Sequence, residues 1–226
     1  MTRISLWILL LVFAAAGSAA AQEQLMLKDG WMIQSSAKVG TDGAEIASAG
    51  YHPTGWYAAT VPSTVVGALV ENGTYPDPFF GMKLRDLPGT TFKIGANFVH
   101  TEMDPQSPYA VPWWYRTTFH IPPTMRGKRI TLHFDGINYR ANVWLNKRRL
   151  ADSTAVAGTY RHYELDITDW VQTLRGTIPG GSRRPTVLDT EGAVNVLAVE
   201  VFAPTPPDLQ TTWVDWNPSP PDKNMG

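Results

Sequence analysis

The sequence predicts an all-β protein, an antiparallel jelly-roll β-sandwich with one short helix. First, 18 Pro and 19 Gly among 226 residues disfavour a helical bundle, because both residue types destabilise helix interiors. Second, several short segments alternate apolar and polar residues, as a strand with one buried face does. Third, turn residues separate these segments without intervening long helices, which favours a sandwich over βαβ units.

One helix is predicted, with Ser63 as its N-cap, an end near Asn72 and Gly73 as the C-terminal stop. Its apolar residues share one helical face: Val65, Val66, Leu69 and Val70. A second short turn is predicted over residues 168–174. Both segments are too short to build a helical core, so the sheets must supply it.

Four strands are predicted from period-two alternation, and a fifth is more continuously apolar. The continuous run, residues 194–202, is typical of a strand that is covered on both sides. Pro122-Pro123 ends the first strand and Asp135-Gly136 ends the second, because these residues favour turns. The four alternating strands are residues 113–121, 129–134, 141–145 and 163–167.

The two ends of the chain differ in composition from the predicted sandwich, residues 22–211. Arg3, a long apolar run and small residues predict a signal peptide over residues 1–21, and hence export to the periplasm or the extracellular space. No membrane association is expected after cleavage. Residues 175–192 are rich in Gly, Arg and Pro and predict a surface insertion, and residues 212–226 predict an extended tail.

Composition and motif searches exclude several classes of function. A net charge of −1 argues against nucleic acid as a partner. The absence of Cys excludes thiol catalysis, and no nucleophile elbow, dinucleotide or phosphate-loop motif is present, so we expect no cofactor. The five histidines form no helical i, i+4 pair; strands can bring two together, but we interpret them as ordinary surface or turn residues without a metal. They are His52, His100, His120, His133 and His162.

Aromatic residues beside carboxylates are the remaining chemical feature. In the tail, Asp215 lies between Trp213 and Trp216. A sugar ring stacks its C–H face on indole, and its hydroxyls bond well to a carboxylate. The alternative is that both Trp side chains cap the sandwich while Asp215 binds nearby backbone. Spacing alone leaves both interpretations open.

Three segments carry a resemblance to a known family: PWWYRTTFHIP, GKRITLHFDGINYRANVWLNKRRL and YELDIT. In this order they resemble the N-terminal galactose-binding-like jelly roll of glycoside hydrolase family 2. VPSTVVGALVENGTYPDPFFG is similar to the same domain in the β-mannosidase and exo-β-D-glucosaminidase branches. IQSSAKV, VPWWYRT and WVDWNPSPPDKNMG favour the glucosaminidase branch.

The resemblance implies a domain of a longer enzyme. Members of this family carry two catalytic glutamates on a downstream (β/α)8 barrel, so we expect no catalytic residue in this chain and no hydrolysis by it alone. The downstream domains are then partners within the same parent protein. The implied function is the sugar-binding-like domain of an exported retaining glycosidase that releases terminal β-D-glucosamine from chitosan oligosaccharides.

The resemblance also implies roles for individual residues. Asp215-Trp216 matches a tail segment that helps to hold the terminal sugar in the mannosidase branch, with Trp213 and Asn217 as supporting contacts. We interpret the family-typical residues Asp77, Pro78, Phe79, Trp113 and Trp114 as packing residues. Arg116 and Asp135 are predicted to pair across strands.

Three alternatives to the glucosaminidase remain open. The chain can be the corresponding domain of a β-mannosidase, a non-catalytic carbohydrate-binding module, or a purely structural domain. Asn217 stands where the mannosidase pattern has Gly, which favours the glucosaminide. Sequence alone does not decide which sugar is preferred.

Overall fold

The computed structural model describes residues 23–81, 83–88, 105–173 and 193–205. These ranges contain eight strands: β1 Trp31–Ser35, β2 Tyr57–Ala59, β3 Trp113–His120, β4 Thr131–Phe134, β5 Arg140–Leu145, β6 Arg148–Ala151, β7 Tyr163–Asp166 and β8 Val194–Phe202. The helices are α1 Gly43–Ile46 and α2 Val65–Glu71, with 3₁₀ turns at Ser36–Lys38, Lys83–Asp86 and Pro123–Met125. In the described ranges no helix is both long enough and apolar enough to cross a membrane. The predicted signal peptide, insertion and tail lie outside those ranges.

The strands form two antiparallel sheets. The larger sheet has the order β2-β1-β3-β8-β5-β6, and β4 pairs with β7 in the smaller one. Leu132 of β4 and Tyr163 of β7 belong to the same buried cluster as Ile33, Val143 and Leu197 of the larger sheet. Both sheets therefore contribute to one core, and the predicted antiparallel β-sandwich is confirmed.

The other face of the larger sheet is also covered. Trp114 and Ala198 on that face pack with Ile46, Ala47 and Trp56 of the segment between β1 and β2. Five consecutive residues of β8 are consequently buried, which confirms the prediction of a strand covered on both sides: Asn195, Val196, Leu197, Ala198 and Val199. The segment that includes α1 is thus a second layer against the larger sheet.

Helix α2 matches the predicted helix except at its start. The N-cap is Thr64, whose Oγ1 accepts a hydrogen bond from the backbone N–H of Gly67 at 3.0 Å. Ser63, the predicted N-cap, instead donates its hydroxyl to the carbonyl of Thr64. The helix ends at Glu71, and Gly73 follows with φ +69°, as expected for a glycine stop.

Three strands escape the alternation pattern. β1 is buried on both faces, so its sequence does not alternate between apolar and polar residues. Its one long polar side chain, Gln34, is also buried, and its Nε2 donates to the carbonyl of Gly55 at 2.7 Å. β2 has only three residues. β6 is an edge strand with two exposed arginines at its start. Strand pairing overrides local pattern at all three positions.

The predicted pair between Arg116 and Asp135 is wrong. Arg116 is buried and donates from Nε to the carbonyl of Ile46 at 2.9 Å and from Nη2 to the carbonyl of Ser48 at 3.1 Å. It projects from the α1-covered face of β3, whereas Asp135 follows β4 in the sheet on the opposite side. Burial lowers the pKa of Arg116, and the carbonyls satisfy its donors.

Candidate functional site

The predicted sugar-contacting residues Trp213, Asp215, Trp216 and Asn217 lie outside the described residues. Their roles remain predictions. The described chain ends at Thr205, three residues after β8. The candidate sites that the structure does describe are therefore on the sandwich itself.

A solvent-facing depression of about 440 Å³ lies on the small sheet and is lined by Arg129, Thr131, Glu164 and Asp166. The antiparallel register sets Thr131 opposite Asp166. Because side chains alternate between the faces of a strand, Leu132 points into the core while these polar residues point outward. The depression is thus a direct product of the period-two pattern in β4 and β7.

Asp166 is the most strongly hydrogen-bonded carboxylate of this depression. The Thr168 hydroxyl donates to Oδ1 at 2.7 Å, the Thr168 amide donates to the same oxygen at 3.0 Å, and Arg129 Nε donates to Oδ2 at 2.9 Å. These contacts, the Thr168 hydroxyl first, hold the pKa of Asp166 below its ordinary value. The carboxylate therefore stays ionised and well positioned at neutral pH.

The described carboxyl groups with shifted pKa values have the wrong direction of shift for a general acid. A general acid in glycoside hydrolysis needs a raised carboxyl pKa. In the described ranges the shifted carboxyls are Glu23, Asp152 and Asp166, and hydrogen bonds lower the pKa of each. These groups suit binding or structure rather than proton donation.

The family-typical aromatic residues divide into buried and exposed positions. Trp113 and Trp114 are buried on opposite faces of the larger sheet, Trp113 in the core between the sheets and Trp114 beneath the segment with α1. Trp113 Nε1 donates to the carbonyl of Pro108 at 3.0 Å. Packing is therefore their role. Phe79 is 96% exposed and Phe80 is 73% exposed, so Phe79 does not pack within the described residues, and its packing against another domain stays a prediction. The segment is instead ordered locally, since Asp77 Oδ1 accepts from the Phe79 amide at 2.9 Å.

Two histidines are brought together at the end of the small sheet. The rings of His133 and His162 lie edge to face with centroids 5.6 Å apart. His133 Nε2 is 3.1 Å from Asp135 Oδ1, and His133 Nδ1 is 3.4 Å from Glu164 Oε1. The sequence predicted ordinary surface or turn histidines, although strands can bring two of them together. The pairing of β4 with β7 does so here for two histidines that have 28 residues between them along the chain.

Comparison with known proteins places the fold in a family. Residues 93–179 match the family model "Glycosyl hydrolase 2 galactose-binding domain-like". The chain is 34% identical to an exo-beta-D-glucosaminidase of Amycolatopsis orientalis over 95% of its length. It is 26% identical to a mannosylglycoprotein endo-beta-mannosidase of Lilium longiflorum over 64% of its length.

A solved structure shows the same relationship. The crystal structure of Amycolatopsis orientalis exo-chitosanase CsxA matches 90% of this chain with a TM-score of 0.63 and 32% identity. The chain spans about a fifth of that structure, 20%, and 17% of the glucosaminidase sequence. Its antiparallel sandwich and its similarity over nearly the whole length lead to one conclusion: the chain belongs to glycosyl hydrolase family 2 and carries that family's galactose-binding-like N-terminal domain.

Proposed function

We propose that this chain is the N-terminal domain of an exported, retaining glycoside hydrolase that releases terminal β-D-glucosamine from chitosan oligosaccharides. The observation that carries the proposal is the 34% identity to an exo-beta-D-glucosaminidase over 95% of the chain. The similar crystal structure is that of an exo-chitosanase, which supports chitosan as the substrate class. Catalysis belongs to the longer protein, because the chain spans about a fifth of these relatives.

The chemistry of a retaining glycosidase supports placing catalysis outside this domain. A retaining glycosidase uses two carboxyls about 5 Å apart, one as nucleophile and one as an acid with raised pKa. The shifted carboxyls of the described residues have lowered pKa values. In our proposal the domain shapes and holds the sugar site, while both reacting carboxyls come from elsewhere in the protein.

Asp215 is proposed as the main sugar contact of this domain, with Trp216, Trp213 and Asn217 beside it. A carboxylate accepts hydrogen bonds from sugar hydroxyls or from a protonated amine, and each such charged bond contributes about 1.5–3 kcal/mol. The flanking indoles supply flat apolar surfaces for the C–H face of the ring. This combination suits a terminal glucosamine at neutral pH.

The first test measures kcat/KM of the full-length protein on an aryl β-D-glucosaminide and on the matching β-D-mannoside. We expect the glucosaminide to be preferred and Asp215→Asn to lower kcat/KM by about tenfold or more. Asp222→Asn, in the same tail, is the matched control and should stay close to the unmodified protein. Preference for the mannoside would instead favour the β-mannosidase alternative, and unchanged kcat/KM in Asp215→Asn would favour a structural domain.

The second test uses the 226-residue chain itself. We expect no turnover of either aryl glycoside, because the chain supplies neither reacting carboxyl in our proposal. Calorimetry with chitosan and mannan oligosaccharides then separates a binding module from a domain that acts only within the enzyme. Binding at low millimolar oligosaccharide without turnover would favour the carbohydrate-binding module, and turnover would contradict the proposal.

Export is tested independently of activity. The proposed signal peptide, residues 1–21, predicts a mature N-terminus at Gln22. N-terminal sequencing of protein recovered outside the cytoplasm of an expressing bacterium should start at that residue. Recovery of only the unprocessed chain from the cytoplasm would contradict export while leaving the glycosidase proposal intact.

A further inference from the structure

We propose that His133, Asp135 and His162 form a binding site for a divalent transition-metal ion of the zinc class. One nitrogen or oxygen atom from each side chain lies within 4.8 Å of the others, and all three residues are exposed. Two imidazoles and a carboxylate are a common donor set for zinc. This site lies at the end of the small sheet and includes none of the residues proposed to contact sugar.

The pairing of β4 with β7 brings these donors to one place. His133 is opposite Glu164 in the register, whose last pair is Phe134 with Tyr163. Asp135 directly follows β4 and His162 directly precedes β7, so both lie just beyond that last pair. Leu132 and Tyr163, the neighbours on the other face, are buried in the core. The donor positions are therefore held by a buried framework, and only the side-chain ends are free to adjust.

The distances are compatible with a single ion. Zinc ligands lie at about 2.0–2.2 Å, so two ligands in a tetrahedral site are about 3.4 Å apart. His133 Nε2 and Asp135 Oδ1, at 3.1 Å, already have this spacing. His162 closes the remaining gap by rotation about its side-chain bonds, which its exposure permits.

Glu164 positions His133 for this role. Its Oε1 lies 3.4 Å from His133 Nδ1, on the side of the ring away from the Asp135 contact. A metal-binding imidazole usually donates its other N–H to a carboxylate, which fixes the ring and makes the coordinating nitrogen more basic. Glu164 is thus a positioning residue, and Nε2 is the coordinating atom of His133.

The donor set also selects the class of metal. Imidazole nitrogens suit Zn²⁺, Cu²⁺ and Ni²⁺, whereas Ca²⁺ and Mg²⁺ prefer oxygen ligands. Three protein ligands leave a fourth position for water or for a donor from another molecule. A bound ion would tie the end of β4 to the start of β7 and stabilise the small sheet.

The competing interpretation is that His133 contacts only its two neighbouring carboxylates, Asp135 and Glu164, which needs no metal. Calorimetric titration of Zn²⁺ into the untagged, chelator-treated chain distinguishes them, since a histidine tag would itself bind the ion. We expect one Zn²⁺ per chain, and affinity about tenfold or more lower in His133→Ala and in His162→Ala. His52→Ala is the matched control, because His52 is exposed beyond the opposite face of the larger sheet, and it should bind Zn²⁺ as the unmodified chain does.

A second variant and a second ion complete the test. Glu164→Ala should weaken Zn²⁺ binding about tenfold while the chain keeps its circular dichroism spectrum. Mg²⁺ in place of Zn²⁺ should give no binding heat. The proposal is overturned if the chain binds no Zn²⁺, if neither histidine variant weakens binding, or if Mg²⁺ binds as well as Zn²⁺.

Discussion

Gly43, the first residue of α1, lies directly against the indole ring of Trp144 on β5. A methyl group added at Gly43 would lie 2.7 Å from Cδ2 of that ring and closer still to Nε1 and Cε2. Side-chain carbons do not approach this closely, so α1 can lie against the sheet only because residue 43 has no side chain. Helix α1 and the face of β5 are therefore matched in shape at a single position.

Gly43→Ala is predicted to destabilise the fold by about 1–3 kcal/mol, the usual cost of overpacking a tight contact. Urea unfolding followed by tryptophan fluorescence measures this change. Gly40→Ala is the control, since nothing lies within 4 Å of the added methyl there, and its effect should stay within about 0.5 kcal/mol. Equal effects of the two substitutions would contradict the contact.

Arg116→Leu is predicted to lower the free energy of unfolding by about 2–4 kcal/mol. The substitution leaves the buried carbonyls of Ile46 and Ser48 without their guanidinium donor. Hydrogen exchange should accelerate first in residues 43–51, which these bonds hold against β3. Arg129→Leu, at an exposed arginine that pairs with Asp166 on the small sheet, should leave that segment protected; comparable loss of protection would argue against the assigned role of Arg116.

Asn195→Ala is predicted to destabilise the chain by about 3 kcal/mol. Asn195 is fully buried, its Oδ1 accepts from Asn146 Nδ2 at 2.8 Å and its Nδ2 donates to the carbonyl of Gln172 at 2.9 Å. Alanine removes both bonds and also the acceptor of the Gln172 amide, which donates to Oδ1 at 2.6 Å. Asn146 Nδ2 keeps its bond to the carbonyl of Trp170. Asn195→Asp keeps the acceptor and loses the donor, and the charge it buries adds its own cost. Thermal unfolding of both variants checks the prediction, and a change below about 0.5 kcal/mol for alanine would refute it.

Acid titration of Asp166 tests the hydrogen bonds in the depression. Its pKa is lowered, so its contribution to stability is complete above the ordinary value of 3.8 and is lost as the pH falls through the folded-state pKa. Carboxyl NMR should show a midpoint below 3.8. Thr168→Val removes the largest cause of the shift and should move the midpoint upward; an unchanged midpoint would assign the shift to other groups.

Local pattern predicts those strands whose two faces differ. The alternation of β3, β4, β5 and β7 indicates each of them to within two residues of its observed bounds, and the continuous apolar run of β8 matches Val194–Phe202. β1 was missed because both of its faces are buried, and β6 because its arginines reflect an edge position. The contact of Gly43 with Trp144 depends on tertiary packing and has no local signal.

The candidate sites were predictable to different degrees. The Trp-Asp-Trp tail is visible in the sequence because its residues are adjacent, although its structure lies outside the described residues. The His133 and His162 cluster depends on which strand pairs with which, and a one-residue shift in register would send one ring into the core. The spacing of the two histidines in the sequence does not indicate which strands pair or in which register.

The position of β8 has a consequence for synthesis of the chain. Among the strands of the described ranges it comes last in sequence, yet in the larger sheet it lies between β3 and β5 and joins the β2-β1-β3 half to the β5-β6 half. A nascent chain that has emerged only as far as β7 therefore lacks the strand that joins the two groups. The six-stranded sheet can be completed only after residues 194–202 have left the ribosome, because both β3 and β5 pair with β8.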